Sequence, residues 1–79
     1  MFTRIYHRND GGIAKASLSL PIRVSESGDS EWRVLLKITG LNSDYTHSVF
    51  GLDAIQALEL AITILRTIEE KEGLQLPGE

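Results

Sequence analysis

Residues 51–73, GLDAIQALELAITILRTIEEKEG, decide the fold because they carry the signals of one complete helix. Asp53 is a good N-cap, and Gln56 follows three residues later, as in a capping box. At the other end, Gly73 suits the left-handed position that closes a helix in a Schellman motif. The sequence therefore predicts a helix over residues 54–72, which would be about 28 Å long at a rise of ~1.5 Å per residue.

The apolar stripe of this helix is wider than a single sheet needs to cover. At ~100° per residue the apolar side chains span roughly 220°, whereas a helix lying on one sheet buries an arc of little more than ~100°. Ile55 lies on one flank, and Leu60 and Ile64 lie on the other flank beside Ala57. The expected centre of the stripe is Leu58, Ala61, Ile62, Leu65 and Ile68.

We expect the flank formed by Ala57, Leu60 and Ile64 to be an oligomer interface, with a homodimer as the simplest form. Burying Leu60 and Ile64 instead of exposing them is worth ~1.5–3 kcal/mol each. A chain of 79 residues without cysteine has few other sources of stability. The alternatives are that another protein covers this flank, or that the outer strands or the C-terminal LQLPGE cover it within one chain.

Four segments with strand character precede the helix. Ile13–Val24 and Glu31–Thr39 alternate apolar and polar residues, which is typical of half-buried strands. Phe2–Arg8 and Tyr45–Phe50 contain β-favouring residues without a clear buried face. Pro21 cannot donate a ladder hydrogen bond, so it predicts an edge, a bend or an end of pairing near residue 21.

These segments predict an antiparallel meander with strand order 1-2-3-4, because short turns join consecutive strands. We therefore predict a single domain over residues 1–79 of the α+β class. It has two layers: a four-stranded antiparallel sheet and one long C-terminal helix packed on one face (ββββα).

Signals of catalysis and of bound groups are thin. The chain has no cysteine, its two histidines (His7 and His47) stand outside any metal-ligand spacing, and the common nucleotide, metal and nucleophile motifs are absent. We expect a protein that is not an enzyme and holds no metal and no cofactor. The sequence has neither the ~20-residue apolar run of a membrane span nor the apolar core of a secretory signal, so we expect no membrane partner and a cytoplasmic location.

A basic surface is predicted from cationic side chains at polar positions of the two alternating strands: Lys15, Arg23, Arg33 and Lys37. They would project from the sheet face opposite the helix, as phosphate binding requires. The net charge of −3 and the lack of aromatic residues at these positions argue against nucleic acid. A charged face that deters aggregation is the simpler interpretation, and Ile13 and Leu35 on the same side leave a protein-binding surface open.

The segment GLDAIQALELA, which follows the strand EWRVLLKITG, resembles a group of small bacterial proteins of unknown function. In that group a W…I.G strand precedes the pattern G-x-D-x-x-Q-A-L-x-L-A, and the resemblance runs from about Trp32 to Leu65. A looser similarity is to HicB-like antitoxins, where a strand leads through a glycine turn into a helix with A-L-x-x-A spacing. The first resemblance implies the fold alone and carries no catalytic residue over, and the second implies a small dimeric binding protein.

We therefore predict a self-associating protein-binding or regulatory module of the immunity or antitoxin kind. Association with nucleic acid through the basic sheet face is the alternative.

Overall fold

A computed structural model describes residues 1–24 and 31–76 of the chain. The predicted loop at 25–30 and the last three residues of LQLPGE lie outside this range. Five antiparallel strands precede one helix: β1 (Phe2–His7), β2 (Ile13–Leu18), β3 (Ile22–Val24), β4 (Glu31–Thr39), β5 (Tyr45–Gly51) and α1 (Ala54–Glu72). The predicted α+β class, with an antiparallel sheet and a C-terminal helix, is confirmed. The predicted count of four strands is wrong.

The fifth strand arises because the segment predicted as one strand is divided into β2 and β3. Both pair with the same edge of β4, since β5 occupies the other edge from Trp32 to Ile38. The sheet therefore runs from β1 through β2 and β3 to β4 and β5. This path is the predicted meander with its second strand broken.

The break is a β-bulge beside Pro21. Leu18 lies opposite Leu36, but Ile22 lies opposite Arg33, so three intervening residues face only two on β4. This one-residue excess is the definition of a bulge. It confirms the interruption predicted from Pro21, which has no N–H to offer β4.

The bulge exchanges the faces on which the following side chains lie. Because directly paired residues of antiparallel strands share a face, Arg23 shares the face of Trp32, and Ile22 shares the face of Arg33. The expectation that Arg23 projects from the outer face beside Arg33 is wrong. One extra residue in a strand with a period of two inverts every later side chain.

The helix begins and ends where its caps predict. The Asp53 carboxylate accepts a hydrogen bond from the Gln56 N–H at 2.7 Å, and the Gln56 side-chain oxygen accepts one from the Leu52 N–H at 2.6 Å. The N-terminal amide groups that a helix leaves unpaired are thus partly satisfied by side chains.

A Schellman motif closes the C-terminal end. Gly73 has φ +62, and its N–H donates to the Glu70 carbonyl at 3.3 Å. The Leu74 N–H donates to the Glu69 carbonyl at 2.9 Å. The chain then turns back toward the sheet, where Gln75 forms an isolated bridge with His7.

The core lies between the helix and the inner face of the sheet. β4 supplies its middle, with Val34, Leu36 and Ile38 fully buried. Alternation thus predicted the buried face of β4, and it also separates the exposed Lys37 from its buried neighbours. The other buried apolar residues are Tyr6, Ala14, Ala16, Leu18, Val49, Ala57, Ala61 and Leu65.

Candidate functional site

The helix covers only part of the inner sheet face. It packs on β4 and β5, while β1 and β2 lie to one side of it. Gly51 allows this placement, because a Cβ atom there would lie 2.5 Å from the Ala57 backbone nitrogen. The inner face beside the helix stays open to solvent at the Phe2 end of β1, whereas Tyr6 near the other end of this strand is buried.

The part of the apolar stripe that faces the sheet differs from the part that was expected to face it. Ala57, Ala61 and Leu65 are its buried residues. Ile62, expected at the centre of the stripe, is 39% exposed, and Ile55 is 68% exposed. Small alanine side chains let a helix approach a sheet more closely than leucine or isoleucine would, so the alanine row lies against the sheet.

The three residues predicted as an oligomer interface lie in different environments. Ala57 is fully buried against its own sheet, and Ile64 packs partly buried against the core. Leu60 remains 43% exposed. The expectation of one continuous flank is therefore wrong for Ala57, because rotation of the helix takes it into the core. Spare apolar surface lies on both flanks of the helix, with Leu60 on one side and Ile62 on the other.

An apolar groove of about 390 Å³ runs between the helix and the first two strands. Ile62 and Leu58 form its helical wall, and Phe2, which is 53% exposed, stands at the β1 side. Ala16 and Leu18 of β2 contribute to its floor. A groove with this lining suits apolar groups better than charged ones.

Charged residues lie at one part of the groove. The Arg4 guanidinium lies 3.4 Å from the Glu69 carboxylate, and Arg66 belongs to the same lining. Because the Arg4 side chain is half exposed, the pair contributes little to stability.

The hydroxyl of Tyr6 is buried close to this pair. Among the described residues it has no hydrogen-bond partner, although Arg4 and Glu69 lie nearby. Burial raises the pKa of Tyr6 to about 12, and the negative charge of Glu69 adds to the effect. Tyr6 therefore stays protonated and acts as a core residue at neutral pH.

The outer edge of β1 is a second feature of this region. The N–H and C=O of His7 bond the backbone of Gln75 at 2.7 and 3.0 Å, so both groups point away from β2. Backbone direction alternates along an antiparallel strand, so those of Thr3 and Ile5 point the same way. Within residues 1–24 and 31–76 they meet no partner.

The face of the sheet opposite the helix carries three of the four predicted basic residues. Lys37 pairs with Ser17, and Lys15 pairs with Thr39 two residues further along, which brings the two lysines onto neighbouring strands of one face. Arg33 shares that face, and Arg23 does not.

Apolar side chains interrupt this basic face. Ile22 and Phe50 lie on either side of Arg33, and each is 50% exposed. Leu35 lies in the next row and is 39% exposed. The face is thus a mixture of cationic and apolar groups. Leu35 was expected there, whereas Ile22 lies there only because of the bulge.

Each histidine contacts a neighbouring residue. His47 contacts the ring of Tyr45, with ring centroids 6.0 Å apart, and His7 is held by its backbone bridge to Gln75. In the part of the chain that the structure describes, no three histidine, aspartate or glutamate side chains are grouped to hold a metal ion. None of the helices among those residues has the length and apolar character needed to cross a membrane.

Comparison with known proteins returned no matching family model, no matching curated protein and no matching solved structure.

Proposed function

We propose that this protein is a non-enzymatic, self-associating module that acts in the bacterial cytoplasm by binding protein, in the manner of immunity proteins and antitoxins. The observation that supports the proposal is the open apolar groove between α1 and β1. Its helical wall includes Ile62, and its opposite side carries the half-exposed Phe2. Apolar surface of this kind, with charged residues beside it, is typical of protein interfaces.

The energetics favour a covered groove. Complete burial of an apolar side chain of this size is worth ~1.5–3 kcal/mol. The groove residues are still partly exposed, so part of this free energy is gained only when the groove is covered. A chain of 79 residues buries a smaller share of its surface than a larger domain does. The gain from covering Phe2 and Ile62 is thus a substantial fraction of the stability expected for the fold.

Sedimentation velocity over micromolar concentrations tests the proposal. We expect concentration-dependent association in the wild type and at least tenfold weaker association in Ile62→Glu, because a charge would enter the groove wall. Thr63→Glu is the matched control, since Thr63 is the next residue and lies on the exposed face of the helix.

Leu60→Glu separates the two flanks of the helix. Weaker association in Leu60→Glu, with Ile62→Glu unchanged, would move the interface to the β5 side. A wild type that stays monomeric at every concentration would refute self-association.

Nucleic-acid binding through the outer sheet face is the second candidate. Lys15, Lys37 and Arg33 share a face that no described element covers. Against it stand the exposed Ile22 and Phe50 beside Arg33 and the net charge of −3. Phosphate binding depends on clustered cations and weakens with salt.

Titration with mixed-sequence DNA and RNA at low and moderate salt distinguishes the two candidates. The protein-binding proposal predicts no binding at low salt. Binding at low salt that is lost in Lys15→Glu/Lys37→Glu, but kept in Lys71→Glu at the end of the helix, would favour nucleic acid.

A further inference from the structure

We infer that self-association takes place through β1, which pairs antiparallel with β1 of a second copy about a two-fold axis at Thr3. The two sheets would then form one continuous sheet across the dimer. This inference rests on the proposed self-association and specifies its geometry.

The backbone of β1 has hydrogen-bonding groups that point away from β2. Thr3 and Ile5 point both backbone hydrogen-bonding groups outward, and no described residue meets them. At His7 the same edge is closed by the bridge to Gln75. Among residues 1–24 and 31–76 the stretch of this edge before His7 has no backbone partner. An edge of this kind is a template for another strand, so this stretch is where an added strand fits.

The position of the two-fold axis follows from which residues of the two copies would lie opposite each other. An axis at Ile5 would place Thr3 of the second copy opposite His7, whose backbone is already bonded to Gln75. An axis at Arg4 would place two guanidinium groups directly opposite each other, which is unfavourable. An axis at Thr3 avoids both conflicts and pairs Arg4 with Phe2 of the second copy.

Side chains also favour a second copy over an unrelated strand. Directly paired residues share a face, so Phe2 of the second copy would lie on the groove side, next to Arg4. The groove there is apolar at Ile62 and cationic at Arg4, and both groups are attracted to an aromatic ring. Each copy thus places its Phe2 beside Arg4 of the other copy, a reciprocal contact of the kind that a two-fold interface makes.

Disulfide trapping tests this geometry directly, because the chain contains no cysteine. Single variants Thr3→Cys, Arg4→Cys and Ile5→Cys are oxidised under mild conditions, with Thr46→Cys on β5 as the control for random collision. A disulfide needs Cα atoms ~4.4–6.8 Å apart. Two Thr3 residues on the axis would be ~5.5 Å apart, whereas two Ile5 residues would be offset by about 14 Å along the strands.

We expect Thr3→Cys to form covalent dimer at least tenfold faster than the other three variants. Equal rates in all four variants, or faster trapping of Arg4→Cys or Ile5→Cys, would overturn the Thr3-centred pairing.

A proline variant separates this inference from self-association itself. Ile5→Pro removes an N–H that β2 does not use, so the circular dichroism spectrum should be retained while the dimer dissociation constant rises at least tenfold. Ile5→Ala, which keeps the N–H, is the control and should associate more strongly than Ile5→Pro. Wild-type association in Ile5→Pro would refute the β1 geometry and leave self-association standing. A monomeric wild type would refute both.

Discussion

The backbone of Gly51 approaches that of Ala57 so closely that no other residue fits at position 51. A Cβ atom there would lie 2.5 Å from the Ala57 nitrogen and 2.9 Å from its Cα. This contact sets the helix against the end of β5, fixes which of its faces is buried, and leaves the groove open on the β1 side.

Gly51→Ala should therefore destabilise the fold. Inserting a methyl group between two backbones forces one of them to move, and such overpacking costs ~1–3 kcal/mol. Urea unfolding followed by circular dichroism measures the change. Gly12→Ala is the comparison, because its nearest neighbour is the exposed side chain of Asp10, which can rotate away. Equal losses in the two variants would contradict the close packing of Gly51 on Ala57.

The helix N-cap gives a second prediction. Asp53→Ala removes the acceptor of the Gln56 N–H and should lower the free energy of unfolding by ~0.5–2 kcal/mol. Asp53→Asn keeps an acceptor oxygen and should recover most of this loss. Urea denaturation of both variants provides the measurement, and an Asn variant no better than the Ala variant would show that the cap is not the source of the effect.

The bulge gives a third prediction. The Ser19 hydroxyl accepts the Leu35 N–H at 2.8 Å, in place of a regular ladder bond. Ser19→Ala leaves this donor to water and should cost ~0.5–1.5 kcal/mol, with faster exchange of the Leu35 amide in hydrogen-exchange NMR. Ser17→Ala, on the regular part of β2, should leave the Leu35 amide unchanged. Unaltered exchange in Ser19→Ala would mean that this bond does not hold the bulge.

Tyr6 gives a prediction for alkaline pH. Its pKa is raised from 10.0 to about 12 in the folded protein, first by burial and then by the charge of Glu69. The unfolded chain releases this proton near pH 10 and the folded chain only near pH 12. Stability is thus fully present below pH 10 and is lost as pH rises toward 12.

Tyr6→Phe should remove that part of the pH dependence. It should unfold no more easily than the wild type at neutral pH, because the buried hydroxyl has no hydrogen-bond partner among residues 1–24 and 31–76. Urea unfolding at pH 7 and at several values between 9 and 12 measures both effects. An identical alkaline decline in wild type and Tyr6→Phe would contradict the assignment.

Elements whose signals are local could be predicted from the amino-acid sequence. Asp53 and Gly73 bracket the helix because caps and left-handed glycines act within a few residues. Alternation gave the buried face of β4, and Pro21 marked the interruption of the strand before it.

Which surfaces remain open depends on long-range packing. The extra residue between Leu18 and Ile22 transfers Arg23 to the opposite face, which alternation alone does not reveal. Hydropathy placed Ile62 at the centre of the helix stripe, whereas close packing at Gly51 buries Ala57 instead. Hydropathy records how much apolar surface a helix carries, but the distance of closest approach between two backbones decides which part of that surface is covered.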